Sequence, residues 1–67
     1  NDEVQDIFVK NDIIYIGTNN ALVIYNQSEK LVENIYDYSF LKKINRIDRI
    51  DEFLILLTSK GLVKFKL

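Results

Sequence analysis

The feature that most constrains this chain is an internal repeat with a period of 40 residues. Residues 4–27 align with residues 44–67 without a gap, and apolar and polar positions keep their character through both turns. Chance agreement between two strand-rich stretches is the alternative. A period of this length is typical of one supersecondary unit used more than once. The matched pairs include Val4 with Ile44, Ile7 with Ile47, Ile14 with Leu54, Thr18 with Thr58, Leu22 with Leu62 and Tyr25 with Phe65.

Each unit has the local signals of short antiparallel strands. Runs such as Ile13 to Ile16 and Leu22 to Tyr25 are rich in β-branched and aromatic residues and are bounded by Asn, Gly and Ser. One full unit therefore reads as four strands, and the second unit stops after three. The sequence predicts strands near 4–10, 13–18, 22–26, 31–37, 44–50, 53–58 and 62–67.

Polar segments between the runs predict the turns. Asn19-Asn20 suits a two-residue primed turn, because Asn tolerates positive φ, and Asn20 is expected to take the left-handed role. Ser59-Lys60-Gly61 predicts a three-residue loop with Gly61 in the left-handed conformation. Thr18 and Thr58 are expected to make side-chain contacts where the hairpins narrow.

The segment from Ser39 to Ile50 also fits a second interpretation. Its apolar positions suit a helix capped by Ser39, and strand alternation is poor because Arg46 and Asp48 fall on the same face as Ile44 and Ile50. The repeat favours a strand from about residue 44, because the matching residues 4–10 are too few and lack a cap for a helix.

The residue pattern of the repeat is similar to that of a known family. The run Ile14-Tyr15-Ile16-Gly17-Thr18-Asn19-Asn20-Ala21-Leu22-Val23, with Tyr25 and Asn26 after it, resembles the two-component regulator propeller repeat. The second unit is similar through Thr58, Gly61, Leu62, Val63 and Phe65. Departures occur where the family has Trp (here Tyr15 and Ile55), at the Gly before Thr (Leu57 in the second unit) and at the turn Gly (Ala21 in the first). WD-type and quinoprotein blades share the same skeleton.

The resemblance implies an all-β fold of antiparallel four-stranded β-propeller blades. About one and three-quarter blades are present: residues 1–40 form the first blade-like repeat and residues 41–67 a second, incomplete one, together one structural unit. Because the chain starts at Asn1 and its last unit lacks a strand, we expect a processed product, a fragment of a longer protein or a self-assembling piece.

The composition excludes several kinds of chemistry. With no Cys and no His, thiolate zinc sites, Cys nucleophiles and Ser-His-Asp triads are ruled out. Nine basic against ten acidic residues do not suggest a nucleic-acid partner, and no apolar run approaches the ~20 residues that span a bilayer. Asp51-Glu52 suits a solvated turn far better than a cation or acid/base site. We predict no catalytic residue, no metal, no cofactor, no direct membrane insertion and no enzymatic activity.

The candidate site residues are therefore residues of the structural motif or of an interaction surface. The motif residues are Gly17, Thr18, Asn19, Asn20, Thr58 and Gly61. The alternating aromatics Tyr36, Tyr38 and Phe40 form a candidate interaction surface, although an outer strand with one face packed on the next blade is the more ordinary interpretation.

The two repeat units carry opposite net charges. Two lysines against seven carboxylates give residues 1–40 a net charge of −5, and seven basic residues against three carboxylates give residues 41–67 a net charge of +4. This asymmetry favours units side by side or chains meeting head to tail, with ordinary scatter of surface charge as the alternative.

The resemblance implies a non-catalytic binding or scaffold element from the periplasmic sensor domain of a bacterial two-component regulator. Its expected partners are other blades of a parent chain or copies of itself, and a small-molecule ligand of the full propeller. Its expected location is periplasmic or extracellular, with the cytoplasm left open. A small self-associating or stand-alone β domain for protein–protein interaction is the alternative function.

Overall fold

The computed structural model describes residues 3–37 and 41–67, which form seven antiparallel strands and no α-helix. The predicted all-β fold is confirmed, and so is the strand interpretation of the segment that follows residue 43. The fourth strand ends one residue earlier than predicted, and the seventh begins and ends one residue earlier. The strands are β1 (Val4–Lys10), β2 (Ile13–Thr18), β3 (Leu22–Asn26), β4 (Leu31–Tyr36), β5 (Ile44–Ile50), β6 (Phe53–Thr58) and β7 (Gly61–Lys66).

The strands form two sheets in chain order. The first sheet has the order β1-β2-β3-β4 and the second has the order β5-β6-β7, all joined by hairpins within each sheet. A 40-residue shift carries the pairing register of β1 with β2 onto that of β5 with β6. The same shift carries the pairing of β2 with β3 onto that of β6 with β7.

Both first strands are bulged at the same place. The register shifts between Val4 and Asp6 in β1 and between Ile44 and Arg46 in β5. A bulge inserts one extra residue, so the side chains on either side of it no longer alternate simply. Ile44 and Ile47 are consequently both buried although they lie three positions apart. This irregularity explains the poor alternation in the sequence.

The turns between the first two strands of each sheet also repeat. Asn11 and Asp51 hold φ angles of 56° and 54°, the left-handed conformation that Asn and Asp adopt more readily than most residues. The amide of Gln27 donates to the carbonyl of Asp12 over 2.8 Å, and that of Leu67 donates to the carbonyl of Glu52 over the same distance. The repeat thus extends to single hydrogen bonds.

Each sheet has two faces, which we call front and back. The back face of each sheet includes the first apolar residue of its first strand. In the first sheet the front face includes Phe8, Tyr15, Gly17, Leu22 and Ile24, and the back face includes Val4, Ile7, Ile14, Ile16, Val23 and Tyr25. In the second sheet the front face includes Asp48, Ile55, Leu57, Leu62 and Lys64, and the back face includes Ile44, Ile47, Leu54, Leu56, Val63 and Phe65.

The core lies where the front face of the first sheet packs on the back face of the second. Its fully buried side chains each contribute roughly 1.5–3 kcal/mol of burial free energy. The closest approach is at Gly17, where an added Cβ would lie 2.6 Å from Cγ2 of Ile44 and 2.9 Å from its Cβ. A side chain at this position would therefore push β5 away. The largest fully buried side chains are Leu22, Leu41, Ile44, Leu54 and Leu56.

Candidate interaction surface

Two threonines close the hairpins at equivalent places. The Thr18 hydroxyl donates to the carbonyl of Ala21 over 3.1 Å and accepts from the amides of Asn20 and Ala21 over 3.0 and 2.8 Å. The Thr58 hydroxyl donates to the carbonyl of Gly61 over 2.8 Å and accepts from the Lys60 amide over 3.1 Å. Both side chains are buried. The predicted contacts of these threonines are confirmed.

The predicted turn conformations need two corrections. Neither Asn19 nor Asn20 has a positive φ, so Asn20 does not take a left-handed role. The Thr18 hydroxyl instead holds this turn from within, which removes the need for a primed conformation. Gly61 does have a positive φ, of 123°, but it pairs with Thr58 as the first residue of β7. The loop is therefore two residues long and not three.

Asn19 joins three segments of the chain. Its side-chain oxygen accepts from the amide of Glu3 over 2.9 Å, and its own amide donates to the Glu3 carbonyl over 3.1 Å. Its carbonyl accepts from the amide of Lys43 over 3.0 Å, just before β5. Asn19 thus fixes the start of both first strands, a role that the turn prediction did not include.

Two polar contacts cross between the sheets. A carboxylate oxygen of Asp6 accepts from the amide of Ile47 over 2.7 Å, a charge-assisted hydrogen bond. The Arg49 guanidinium donates to the Tyr15 hydroxyl over 3.2 Å. Sequence reasoning missed both contacts. The repeat places Asp6 at the position of Arg46. This change of charge between equivalent positions was the available signal that Asp6 has a contact of its own.

Of the three predicted aromatic surface residues, the structure describes Tyr36. Its ring is half-buried and meets Phe65 of the second sheet edge-on at 4.8 Å between centroids. This contact agrees with an outer strand packed on the next sheet. Tyr38 and Phe40 lie outside the described residues.

The back face of the first sheet is broad and apolar. Ile14, Ile16 and Val23 at its centre are partly exposed. Toward the rim, Val4 and Ile7 on β1 are 59% and 53% exposed. A contiguous apolar surface of this kind marks an interaction site or a place of aggregation.

The front face of the second sheet is mixed in character. Leu62 is 70% exposed and Leu57 is 43% exposed, and they pair across β6 and β7. The ammonium nitrogen of Lys64 lies over the Phe53 ring, 4.2 Å from its centroid, in a cation–π contact. A groove of about 360 Å³ crosses this face, lined by Arg46, Ile47, Asp48, Ile55, Leu57 and Leu62.

The last strands of the sheets, β4 and β7, each pair with a strand on one side within the described part of the chain. The unpaired N–H and C=O groups of such an edge can pair with an added strand. Lys64 and Lys66 on β7 are the kind of residue that limits indiscriminate pairing.

Among residues 3–37 and 41–67, no group of three or more His, Cys, Asp or Glu side chains is arranged to hold a metal ion. Asp51 and Glu52 lie exposed in a turn. Over the same ranges, no helix has the length and apolar character needed to cross a membrane.

Comparisons with family models, with curated proteins and with solved structures give no match to this chain.

Proposed function

We propose that the chain is a non-catalytic scaffold and binding element whose two sheets are successive blades of a β-propeller. One observation carries the proposal: the two sheets stack front to back, and a 40-residue shift relates them in register, bulge and hydrogen bonds. Stacking of this kind leaves one back face and one front face open. The function is then to present these faces to further blades.

The resemblance of the repeat supports a more specific setting. The parent protein would be a bacterial two-component regulator, and the blades would belong to its periplasmic or extracellular sensor domain. The partners would be other blades of that protein or copies of this chain. By the same resemblance, a small molecule would bind the assembled propeller.

The alternative is a small stand-alone β domain that binds another protein. The observation in its favour is that the two sheets share one core, to which Leu41 of the connecting segment also contributes. A pair of sheets with a common core can fold as a unit.

Sedimentation velocity on the full chain at micromolar concentration separates the two. The scaffold proposal expects association, because the back face of the first sheet is apolar and open. Ile16→Lys, in the middle of that face, should reduce association. Gln27→Lys, which adds the same charge in an exposed turn, should not. A cooperative wild-type monomer would favour the stand-alone domain.

A further inference from the structure

The two open faces of this molecule are copies of the two faces that already meet inside it. Ile44 and Ile47 of the second sheet's back face contact the first sheet. Their equivalents on the open back face are Val4 and Ile7, 40 residues earlier. The internal contact therefore shows how the open back face of one molecule can pack on the open front face of another.

The groove on the front face of the second sheet lies where such a contact would form. Its residues Arg46, Ile55, Leu57 and Leu62 are the equivalents of Asp6, Tyr15, Gly17 and Leu22 in the first sheet. In the first sheet this region receives β5: Gly17 meets Ile44, and Asp6 binds the Ile47 amide. The strand equivalent to β5 is β1, and its Val4 and Ile7 side chains are more than half exposed.

We infer that a second copy of this chain docks its β1 strand, Val4–Lys10, into the groove around Leu57 and Leu62. This inference rests on the scaffold function proposed above and specifies its partner. The contact is heterologous, because it joins the back face of one copy to the front face of the next, so repetition gives a ring or an open stack. It also brings the acidic unit of one copy against the basic unit of the next.

The strand and the sheet lie farther apart in the new contact than in the internal one, because one residue differs between the two sheets. Leu57 stands where the first sheet has Gly17, and a Cβ at Gly17 would lie 2.9 Å from Cβ of Ile44. Val4 keeps the Cβ and Cγ2 atoms through which Ile44 approaches Gly17, so it meets the same crowding at Leu57. The β1 strand of the second copy therefore sits farther from the sheet than β5 does, and Val4 lies next to Leu57.

The adjacency can be measured by disulfide trapping, because the chain has no native Cys. A disulfide requires Cβ atoms about 3.5–4.5 Å apart. Val4→Cys and Leu57→Cys chains are prepared separately, mixed in equal amounts and mildly oxidised. Ile35→Cys is the matched control for Val4→Cys: it is similarly exposed, but it lies on β4, away from the docking strand.

The expected result is a Val4→Cys–Leu57→Cys heterodimer at several times the yield of the Ile35→Cys–Leu57→Cys pair and of either homodimer. A chain carrying both Val4→Cys and Leu57→Cys should give a ladder of higher species on a non-reducing gel. Equal yields for all pairs, or predominance of the Leu57→Cys homodimer, would overturn the inference. If wild type associates in sedimentation but this preference is missing, the docking mode fails and the scaffold function stands. If wild type is a monomer, both fail.

Discussion

At the scale of single residues, the Thr18 hydroxyl stabilises the hairpin turn that follows β2, a role that a primed backbone conformation has in other hairpins. Its single hydroxyl satisfies the amides of Asn20 and Ala21. In Thr18→Val these amides lose their acceptor, and burial of an unsatisfied polar group costs about 1–3 kcal/mol. We expect the free energy of unfolding, measured by urea denaturation, to fall by that amount. Thr58→Val should behave in the same way, because Thr58 serves the Lys60 amide.

Thr18→Ser is the matched control, since it keeps the hydroxyl and removes only a methyl group. It should retain most of the stability that Thr18→Val loses. Equal stability of the Val and Ser variants would mean that the hydroxyl contacts are incidental.

Gly17 is needed for the close approach of the two sheets. In Gly17→Ala the added Cβ would lie 2.6 Å from Cγ2 of Ile44, so the sheets must separate. Overpacking of this kind typically costs about 1–3 kcal/mol, and we expect thermal unfolding to show a loss in that range. Leu57→Ala at the equivalent position of the second sheet is the control and should cost less, because that face is open. A neutral Gly17→Ala would contradict the packing of β2 on β5.

At the scale of elements, the sequence predicted the strands well because they are short apolar runs between clear turn residues. The bulges in β1 and β5 were not predicted. Their only trace is the spacing of three between Val4 and Ile7 and between Ile44 and Ile47. The same spacing is a helix signal, so it supported the helix alternative. In each strand the bulge places both side chains of the pair on the same face of the sheet, and residue types alone do not specify it.

The candidate site was less predictable than the strands. The sequence correctly selected Thr18, Thr58 and the positive φ of Gly61. It did not predict the bond from the Ile47 amide to Asp6, because the partners are 41 residues apart. Contacts of this kind depend on how the sheets stack, which the local pattern does not determine.

Within the described part of the chain β7 pairs with β6 on one side, and adding a fourth strand on its other side should stabilise the chain. We propose replacing Lys66-Leu67 with a copy of residues 26–37, which supplies the β3–β4 turn and a copy of β4. The cross-strand pairs that form on β7 are each worth roughly 0.2–1 kcal/mol, so we expect a gain of about 1–2 kcal/mol in the free energy of unfolding. Hydrogen exchange should show new protection of β7 amides.

A Gly/Ser extension of the same length is the control for this chimera and should leave β7 exchange unchanged. If the copied strand gives no more stability or protection than the control, the second sheet does not behave as an incomplete version of the first.

At the scale of the whole molecule, the two open faces belong to units of opposite net charge. The open back face belongs to the unit with net charge −5, and the open front face to the unit with net charge +4. Docking between copies therefore combines hydrophobic burial with attraction between opposite charges. Raising the salt concentration separates these contributions, because the Debye length falls from about 10 Å at 0.1 M to about 3 Å at 1 M.

The double variant Lys64→Glu/Lys66→Glu tests the electrostatic part. It leaves five basic residues against five acidic ones in residues 41–67, so the net attraction between this unit and the acidic unit of another copy disappears. We expect its association constant in sedimentation equilibrium to fall several-fold below that of wild type at about 0.1 M salt and to approach wild type at about 1 M. Lys42→Glu/Lys60→Glu makes the same change in net charge at exposed residues before β5 and in the β6–β7 turn, not on the front face of β7, and should have a smaller effect. Equal losses for the two double variants would mean that total charge, and not contact at the front face of β7, governs the association. The same deficit for Lys64→Glu/Lys66→Glu at both salt concentrations would mean that the lost Lys64 contact with Phe53 is responsible.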